Sequence, residues 1–425
     1  MHRAPSHPLL GCIADDLTGA TDLGVNLVRE GLSVIQVNGV PTSAYAIPAV
    51  DAIIVALKSR TIDASSAVAQ SLAALAWLQK RGVERFYFKY CSTYDSTPQG
   101  NIGPVTEALQ RALGGAIVPG TPAYPRNQRT VCHGYLFVGD QLLSETGMRH
   151  HPLTPMSDSN LVRLLAAQSR GRVGLVRSTD VDDGEAAVRA RVESLQAEGY
   201  RHAIVDAVRD ADLSVLGAAF ADLPLTSGGA GLGVGLARAL RRSAPAATLH
   251  WRRPSSPPRV IWLSGSCSEA TQRQVLYAQD HATVVRMDVM ALAHDDQGAQ
   301  RVVAEAVSAT LGSRPVLVQA TRNAAEVEAA QKALGVERAA NLIENTFRMV
   351  ARAVANAGVN VFVVAGGETS SAVVDALGVR GLAIGPEIDP GVPWTRSIDD
   401  PPFWFALKSG NFGSDEFFTR ATESL

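Results

Sequence analysis

Short apolar runs alternate with segments of helical periodicity along this chain, and this alternation restricts the fold more than any other feature of the sequence. Residues 9–14 predict a strand, residues 20–30 a helix closed by Gly31, and residues 33–37 a second strand. The alternation continues at residues 52–56, 65–80 and 85–89, after Gly103, and at residues 116–119, 173–176, 184–197 and 203–206. Because strands that alternate with helices form mostly parallel sheets flanked by helices, the sequence predicts an α/β fold.

One segment interrupts the alternation. Residues 135–138 and 141–143 both have strand character, and only Gly139 and Asp140 separate them, which predicts a β-hairpin. We expect this hairpin to be inserted into the N-terminal domain, in a position to cover or line a ligand cleft.

A stretch without periodicity divides the chain. Residues 244–258 are rich in Ala, Pro, Ser and Arg, which is typical of an interdomain linker. A second series of strands and helices follows at residues 260–263, after Ser268, at 283–287, 315–319, 336–357, 361–365 and 403–407, and from Asp415. A chain of 425 residues also exceeds the usual size of one hydrophobic core. We therefore predict two domains, residues 1–245 and 259–425, each with a mostly parallel sheet.

The composition argues against several classes of protein. A formal net charge of −2 lacks the basic excess of most proteins that bind nucleic acid or anionic membranes. The four cysteines lack metal-site spacing, which predicts reduced thiols. Neither a signal peptide nor a membrane span is indicated, since no apolar segment reaches about 20 residues. We expect a cytoplasmic protein with small-molecule ligands.

Two acids follow the first predicted strand. Asp15 and Asp16 stand at the edge of the sheet where ligands bind in parallel α/β folds. Because consecutive residues at a strand end point to different sides, the two acids need not share one role. One of them would accept a proton from a substrate hydroxyl or hold Mg²⁺. Helix capping explains Thr18, and Asp16 with it, about equally well.

Basic residues follow two other predicted strands. Arg60 has the planar guanidinium that binds a carboxylate through two hydrogen bonds, and Lys58 adds a point charge, although both also suit a solvated surface. Lys89 ends an aromatic strand, and residues 92–101 are dense in hydroxyl side chains around Asp95. Such a loop suits a polyhydroxylated ligand, but it is also typical of an ordinary turn.

The second half contains three strand-to-helix junctions rich in Gly and Ser, at residues 263–268, 365–371 and 408–413. Glycine allows close approach of the backbone, and a helix N-terminus points amides at a phosphate. One such turn is a common requirement of the fold, but three at one sheet edge predict a phosphate site. Glu368 would hold magnesium or ribose there, or else stabilise its own helix.

Other nucleotide and metal motifs are missing or weak. The chain has neither a G-x-x-x-x-G-K-[ST] loop nor an H-E-x-x-H motif. The run from Gly231 to Gly235 resembles half of a dinucleotide fingerprint, but it follows residues 225–227 rather than a clear strand. We expect it to close over the substrate instead. His150 and His151 lack partners at metal-ligand spacing and are expected at the surface.

Taken in order, these motifs resemble the four-carbon acid sugar kinase family over residues 10–419. The resemblance rests on residues 15–22, 58–60, 92–97, 366–369 and 408–413. It implies an acid-sugar-binding N-terminal domain and an ATP-binding C-terminal domain. Residues 37–41 and 406–413 are most similar to the branch that phosphorylates the terminal hydroxyl of 3-oxo-tetronates, while other branches use threonate or erythronate. The ATP contacts that it implies are Ser264, Gly366, Gly367, Glu368, Thr369 and Gly410.

The resemblance also implies in-line transfer of the γ-phosphoryl group of ATP to O4 of the acid, with Mg²⁺ bridging the phosphates. Asp16 and Asp95 are the candidates for orienting the attacking hydroxyl, and no metal ligand is assigned. Arg60 and Lys89 are expected to bind the carboxylate. The full set of expected substrate contacts is Asp15, Lys58, Ser59, Arg60, Lys89 and Ser96.

Two other functions compete with a kinase. A nicotinamide-dependent dehydrogenase needs G-x-G-x-x-G after the first strand, where this chain has acids between Ala14 and Gly19. A two-domain sensor would close on a sugar acid without chemistry, and it would ignore ATP. Assembly into a homo-oligomer is compatible with each of these functions.

Overall fold

A computed structural model describes residues 7–41, 47–151, 154–241, 251–254, 258–320 and 324–425. The chain divides into two compact units, Met1–Leu249 and His250–Leu425. Most of the predicted linker, residues 244–258, lies outside the described residues.

The N-terminal unit contains a parallel sheet with helices between its strands. Its strands are β1 (Leu10–Ala14), β2 (Val34–Asn38), β3 (Ala52–Ala56), β4 (Phe86–Lys89), β5 (Val118–Thr121), β6 (Arg129–Cys132), β7 (Tyr135–Val138), β8 (Gln141–Leu142), β9 (Arg172–Val176), β10 (Tyr200–Val205) and β11 (Leu225–Gly228). Its helices are α1 (Leu17–Arg29), α2 (Ala64–Gln79), α3 (Ile102–Ala112), α4 (Leu161–Gln168), α5 (Ser178–Asp182), α6 (Glu185–Ala197), α7 (Asp210–Phe220) and α8 (Ala230–Leu240). The parallel strands pair in the order β2-β3-β1-β4-β11-β5-β10-β9.

The register of these strands brings their carboxyl ends together. Ala14 at the end of β1 pairs with Ala56 of β3 on one side and with Lys89 of β4 on the other. Both β1 and β3 are buried along their whole length, which explains their continuous apolar sequences. The segments that follow Ala14, Ala56 and Lys89 therefore emerge side by side at one edge of the sheet.

The predicted hairpin is confirmed as β7 and β8, and the structure adds a third strand, β6, which was not predicted. These strands form a separate antiparallel sheet in which Val131 pairs with Leu136 and Phe137 with Leu142. Asp206, directly after β10, accepts hydrogen bonds from the backbone N–H groups of His133 and Gly134, both at 2.8 Å. This carboxylate ties the β6–β7 turn to the parallel sheet.

The glycine run is a helix, so both expectations for it are wrong. Residues Leu225–Gly228 before it form strand β11, and the run itself lies inside α8, where it is buried. A Cβ atom on Gly217 of α7 would collide with the backbone of Gly235, and one on Gly235 would collide with the carbonyl group of Leu213. The glycines therefore permit backbone contact between α7 and α8 instead of forming a loop.

The C-terminal unit repeats the α/β pattern and adds an antiparallel edge. Its strands are β12 (Val260–Ser264), β13 (Thr283–Arg286), β14 (Val316–Gln319), β15 (Val361–Ala365), β16 (Gly381–Asp389), β17 (Val392–Ser397) and β18 (Trp404–Lys408). Its helices are α9 (Glu269–Gln279), α10 (Val289–His294), α11 (Gly298–Ala309), α12 (Ala324–Leu334), α13 (Val336–Asn356), α14 (Gly367–Ala376) and α15 (Phe417–Ser424). Parallel strands in the order β13-β14-β12-β15-β18 are followed by β17 and β16, which run antiparallel.

The register of these strands aligns the carboxyl ends of β12, β15 and β18 at one edge of the sheet. Ala365 at the end of β15 pairs with Ser264 of β12 and with Lys408 of β18. The aromatic core around Trp262 and Trp394 packs against the strands. The predicted mostly parallel α/β architecture is confirmed. Within the described residues, no helix has the length and apolar character to cross a membrane.

Candidate active site

Asp15 and Asp16 mark the junction of β1 and α1. The Asp16 side chain caps the helix, since it accepts hydrogen bonds from the Gly19 N–H at 3.1 Å and from the Thr18 hydroxyl at 2.8 Å. The prediction that Asp16 caps the helix is thus confirmed, and the cap explains why α1 begins at Leu17 rather than at residue 20. Asp15 remains almost fully buried beside it.

Arg60 contacts both acids. Its Nε and Nη2 donate to the two carboxylate oxygens of Asp15 at 2.9 and 2.8 Å, and Nη2 also donates to Asp16 at 2.5 Å. The two acids thus share one guanidinium, while Asp16 alone also caps α1. The Arg60 side chain is 20% exposed, so it is not a solvated surface charge.

A second cation is buried near the same helix start. Lys89 is 2% exposed, and its ammonium donates to the Tyr90 carbonyl oxygen at 2.8 Å. A Cβ atom on Gly19 would lie 3.0 Å from Lys89 Nζ, which places this ammonium at the first turn of α1. Lys58, in contrast, is exposed.

The two acids have opposite pKa shifts. Burial raises the pKa of Asp15 above its usual value despite the Arg60 ion pair. Burial opposes ionisation of Asp16 as well, but Arg60, Lys89 and the hydrogen bonds from Thr18 and Gly19 outweigh it, so the pKa of Asp16 is lowered. The same two acids raise the pKa of Arg60 in spite of its burial. Asp16 is consequently ionised at neutral pH.

The loop after β4 places a third acid, Asp95, near Asp15, Asp16 and Arg60. Tyr94 and Asp95 both have left-handed backbone conformations, with φ of 64° and 34°. Such conformations are uncommon for residues other than glycine and are often found at functional sites. The Thr93 hydroxyl donates to the Asp95 carboxylate at 2.7 Å, and the other Asp95 oxygen lies 3.9 Å from Arg60 Nη1. Asp15, Asp16, Arg60, Lys89 and Asp95 together form what we call the N-terminal ion cluster.

Two amide side chains that sequence reasoning missed hold the loops of this cluster. Asn101 donates to the carbonyl oxygens of Ser59 at 2.7 Å and of Ile62 at 3.1 Å, which fixes the loop that carries Arg60. Gln168 donates to the Ser96 hydroxyl at 2.9 Å. Asn101 stands at the start of α3, but its side chain makes no capping hydrogen bond. Its partners lie about 40 residues away in the sequence, so no local pattern marked these contacts.

The three glycine-containing junctions of the C-terminal unit meet at one edge. The N–H groups of Gly265 and Ser266 donate to the Ala365 carbonyl oxygen at 3.1 and 3.2 Å, and the Gly366 N–H donates to the Lys408 carbonyl oxygen at 2.9 Å. A Cβ atom on Gly410 would lie 2.5 Å from the Ser266 hydroxyl oxygen. We call residues 264–268, 366–369 and 409–413 the C-terminal glycine turns.

All six residues predicted to contact ATP lie in the C-terminal glycine turns. Gly366 has a φ of 121°, and a Cβ atom there would lie 3.1 Å from the Ser266 backbone nitrogen. Ser264 and Thr369 are buried, Gly367 begins α14, and Glu368 is exposed in the first turn of that helix. The glycine turns thus combine close backbone packing with a helix N-terminus, which suits an anion. Among the described residues, no cluster of three or more His, Cys, Asp or Glu side chains is arranged to hold a metal ion.

The N-terminal ion cluster and the C-terminal glycine turns each lie within a region that matches a known protein family. Residues 10–236 match a family model described as a sugar-binding N-terminal domain, and residues 261–418 match one described as a nucleotide-binding C-terminal domain. A 3-oxo-tetronate kinase of Burkholderia multivorans is 51% identical over 429 residues, which cover 100% of this chain and 99% of the relative. This chain belongs to the four-carbon acid sugar kinase family.

Other members of the family support the same assignment. A 3-oxo-tetronate kinase of Pseudomonas fluorescens is 51% identical, with 98% of this chain and 97% of the relative covered. One from Salmonella typhimurium is 44% identical, with 97% and 98% covered. These matches extend over nearly the whole length of this chain and of each relative.

Solved structures of similar proteins have the same fold. A crystal structure from Salmonella typhimurium LT2, provisionally described as a tRNA synthase, superposes with a TM-score of 0.85 at 43% identity and covers 98% of this chain and 99% of that one. A Haemophilus influenzae protein superposes with a TM-score of 0.76 at 44% identity and covers 97% and 99%. The N-terminal ion cluster lies within the sugar-binding match and the C-terminal glycine turns within the nucleotide-binding match.

Proposed function

We propose that this family member is an ATP-dependent 3-oxo-tetronate kinase that phosphorylates the terminal, 4-hydroxyl group of its substrate. The observation that carries the proposal is identity of 51% over the whole chain to a 3-oxo-tetronate kinase, with an ion cluster in the sugar-binding match and glycine turns in the nucleotide-binding match. Residues 1–245 would form the acid-sugar domain and residues 259–425 the ATP domain. We also propose a cytoplasmic location, from the four free cysteines. The net charge of −2 supports small-molecule partners rather than nucleic acid or membrane.

Lys89 and Arg60 are proposed to bind the substrate carboxylate. Arg60 uses Nε and Nη2 for Asp15 and Asp16, and we propose that Nη1, which lies 3.9 Å from Asp95, binds the carboxylate of the ligand. A carboxylate placed there gains a charge-assisted hydrogen bond, whereas contact with the acids would repel it. Asp15, Lys58, Ser59 and Ser96 complete the proposed substrate site, where acceptor and donor side chains match the hydroxyl and oxo groups of the acid.

Asp16 is proposed to orient the attacking hydroxyl, with Asp95 as the second candidate. The lowered pKa of Asp16 keeps its carboxylate ionised and ready to accept a hydrogen bond from the hydroxyl. Phosphoryl transfer has a loose transition state, so the carboxylate acts mainly by positioning and receives the proton as the reaction proceeds. The new bond joins O4 to the γ-phosphorus, and the bond from that phosphorus to the ADP oxygen breaks.

The C-terminal glycine turns are proposed to bind the phosphates of ATP. Ser264, Gly366, Gly367, Thr369 and Gly410 would contact the nucleotide through backbone N–H groups and hydroxyls, and Glu368 would approach it from the start of α14. Mg²⁺, when bound with the nucleotide, neutralises phosphate charge.

The deciding experiment measures ATP consumption by the purified protein with Mg²⁺ and a panel of acids. The panel contains 3-oxo-tetronates, erythronate, threonate and four-carbon compounds without the carboxylate. Turnover limited to 3-oxo-tetronates supports the proposal, and turnover limited to erythronate or threonate replaces the substrate. Nucleotide binding without any turnover would overturn the assignment of the acid-sugar site, and a protein that binds a sugar acid but ignores ATP would be a sensor.

A further inference from the structure

The turn formed by residues 409–413 is held from one side by a buried lysine. Lys408, the last residue of β18, is fully buried, and the family resemblance assigns it no role. Its ammonium donates to the Thr271 hydroxyl at 2.9 Å, to the Gly410 carbonyl oxygen at 3.0 Å and to the Ser409 carbonyl oxygen at 3.2 Å. These three acceptors match the three N–H donors of an ammonium group.

Helix α9 and its N-cap residue, Ser268, supply further donors to the same side of the turn. The hydroxyls of Ser268 and Thr271 both donate to the Gly410 carbonyl oxygen, at 2.6 and 2.8 Å. Gln274 Nε2 donates to the carbonyl oxygens of Phe412 at 3.0 Å and Gly413 at 2.9 Å. The carbonyl groups of residues 409, 410, 412 and 413 are therefore all directed toward Lys408 and α9.

The direction of each carbonyl group in the turn determines the direction of the N–H group of the next residue. In a planar trans peptide, the C=O of one residue and the N–H of the next point to opposite sides of the bond. With their carbonyl partners bound to Lys408 and Gln274, the N–H groups of Gly410, Asn411 and Gly413 point away from these side chains. The following amide, Ser414 N–H, donates to Asp389 at 2.9 Å and closes the turn.

We propose that Lys408 is a positioning residue that orients the peptide groups of residues 409–413 so that the N–H groups of Gly410, Asn411 and Gly413 bind a nucleotide phosphate. The Phe412 N–H instead donates to the Ser409 carbonyl oxygen within the turn. The proposal rests on nucleotide binding by the C-terminal unit, as given in the proposed function. Lys408 acts through the backbone and not by touching the phosphate, because its buried ammonium already binds three protein acceptors. This differs from a P-loop, in which the lysine reaches the phosphates directly.

The experiment compares binding of ADP and of adenosine to the full chain by calorimetry or competition. In K408M, which keeps the length of the side chain but removes its donors, we expect ADP affinity to fall by about 10- to 100-fold, the equivalent of one or two lost hydrogen bonds to charged groups. Adenosine affinity should change less than about 3-fold, since adenosine carries no phosphate. A merely structural role would lower both affinities together, and that result would overturn the proposal.

Two further variants keep the proposal testable if K408M does not fold. T271V and Q274M are close in shape to the native side chains, and each removes donors from the same side of the turn. Each should lower ADP affinity by about 3- to 10-fold while leaving adenosine binding intact. Unchanged ADP affinity in both folded variants, or in folded K408M, would show that the turn needs no such support and would overturn the proposal.

The pH dependence of binding gives an independent readout. Burial lowers the pKa of Lys408 to about 7, and Asp389, itself paired with Arg420, is the charged group that opposes this shift. Loss of the proton removes one donor, so wild-type ADP affinity should decrease as the pH rises through about 7, and the decrease should be absent in K408M.

Failure of this inference is distinguishable from failure of the proposed function. If the wild type binds ADP with the expected dependence on Lys408 but phosphorylates no acid, only the kinase assignment fails. If it phosphorylates 3-oxo-tetronates while K408M binds ADP normally, only the inference fails.

Discussion

The N-terminal ion cluster and the C-terminal glycine turns occupy the same kind of place, the carboxyl edge of a parallel sheet, but they are built from different groups. The first uses charged side chains, with Arg60 bound to Asp15 and Asp16. The second uses backbone groups made accessible by Gly366 and Gly410, with the charge of Lys408 kept beneath the surface. The sheet edge supplies a position, and the residues after each strand determine which chemistry is placed there.

The difference determines how each region responds to substitution. Removal of one charge from the ion cluster leaves a buried partner without compensation, which is costly. A backbone N–H cannot be removed by ordinary mutation and is disturbed only when a Cβ atom or a lost supporting side chain moves the turn. The two regions should therefore be separable by the ligand whose binding each variant impairs.

The largest expected effect is that of D16N. Asparagine caps helices as well as aspartate does, so α1 should be preserved. Loss of the ionised carboxylate should reduce kcat by about 10²- to 10⁴-fold, as for other residues that receive a proton. Steady-state kinetics with 3-oxo-tetronates checks this, and ADP affinity should not change.

D95N is the companion variant, because asparagine accepts the left-handed conformation of this position. A kcat loss in D95N with near-normal turnover in D16N would move the catalytic role to Asp95. Near-normal turnover in both variants would show that neither acid orients the hydroxyl.

Substitution R60K tests whether the geometry of the ion cluster matters beyond its charge. Lysine keeps the positive charge but cannot bind Asp15 through two nitrogens and Asp16 at the same time. We expect kcat/KM for the acid to fall by about 10- to 100-fold, equivalent to one or two charge-assisted hydrogen bonds, with ATP affinity unchanged. If R60K were as active as the wild type, only the positive charge at residue 60, and not the geometry of its hydrogen bonds, would matter.

Glycine substitution tests the other side of the comparison. At Gly366, φ is 121° and a Cβ atom would lie 3.1 Å from Ser266 N, so G366A should displace the turn. We expect ADP affinity to decrease by about 10-fold, the loss of roughly one hydrogen bond to a charged group, with little change in acid binding.

The matched control is G378A at the other end of α14. Gly378 has a φ of 66°, but no atom lies within 4 Å of a Cβ atom placed there. This control should lose about 1 kcal/mol of stability from the left-handed conformation and keep its ADP affinity. Equal loss of ADP affinity in both variants would show that strain in α14, and not its N-terminal turn, weakens binding.

A further prediction concerns the free energy of unfolding. Between pH 7 and pH 10.5 the folded chain has lost the Lys408 proton while the unfolded chain retains it. Unfolding then takes up a proton, so this residue makes the unfolding free energy rise with pH by up to about 1.4 kcal/mol per unit. Denaturant titrations at pH 7.5 and 9.5 should show a larger increase for the wild type than for K408M. Parallel changes would indicate that Lys408 is charged in the folded state throughout this range.

Much of the fold was predictable because buried parallel strands have continuous apolar sequences. Residues 361–365, for example, were predicted as a strand and form β15 with the same bounds. The β16–β17 hairpin was missed because Pro386 and Pro393 lie within its strands, where proline usually argues against a strand. Strand β11 was missed because its sequence, LTSG, has little apolar character.

Site residues that directly follow strands were predictable for the same reason. Asp15 and Arg60 come after adjacent parallel strands and Lys89 ends another, so their proximity follows from the alternation of strands and helices. Asn101 and Gln168 act through hydrogen bonds to loops about 40 and 70 residues away, and no local pattern marks such contacts. Lys408 was recognised as part of a motif, but only the structure shows that its ammonium is directed into the protein.

The backbone contact between α7 and α8 has a consequence for mutational scanning. Any residue larger than glycine at position 217 or 235 would force the two helices apart. A saturation screen for growth would therefore record these positions as intolerant, alongside residues of the ion cluster and the glycine turns. Only assays that separate protein abundance from turnover would distinguish the helix contact, whose variants should be depleted from the cell, from sites whose variants accumulate as folded but inactive protein.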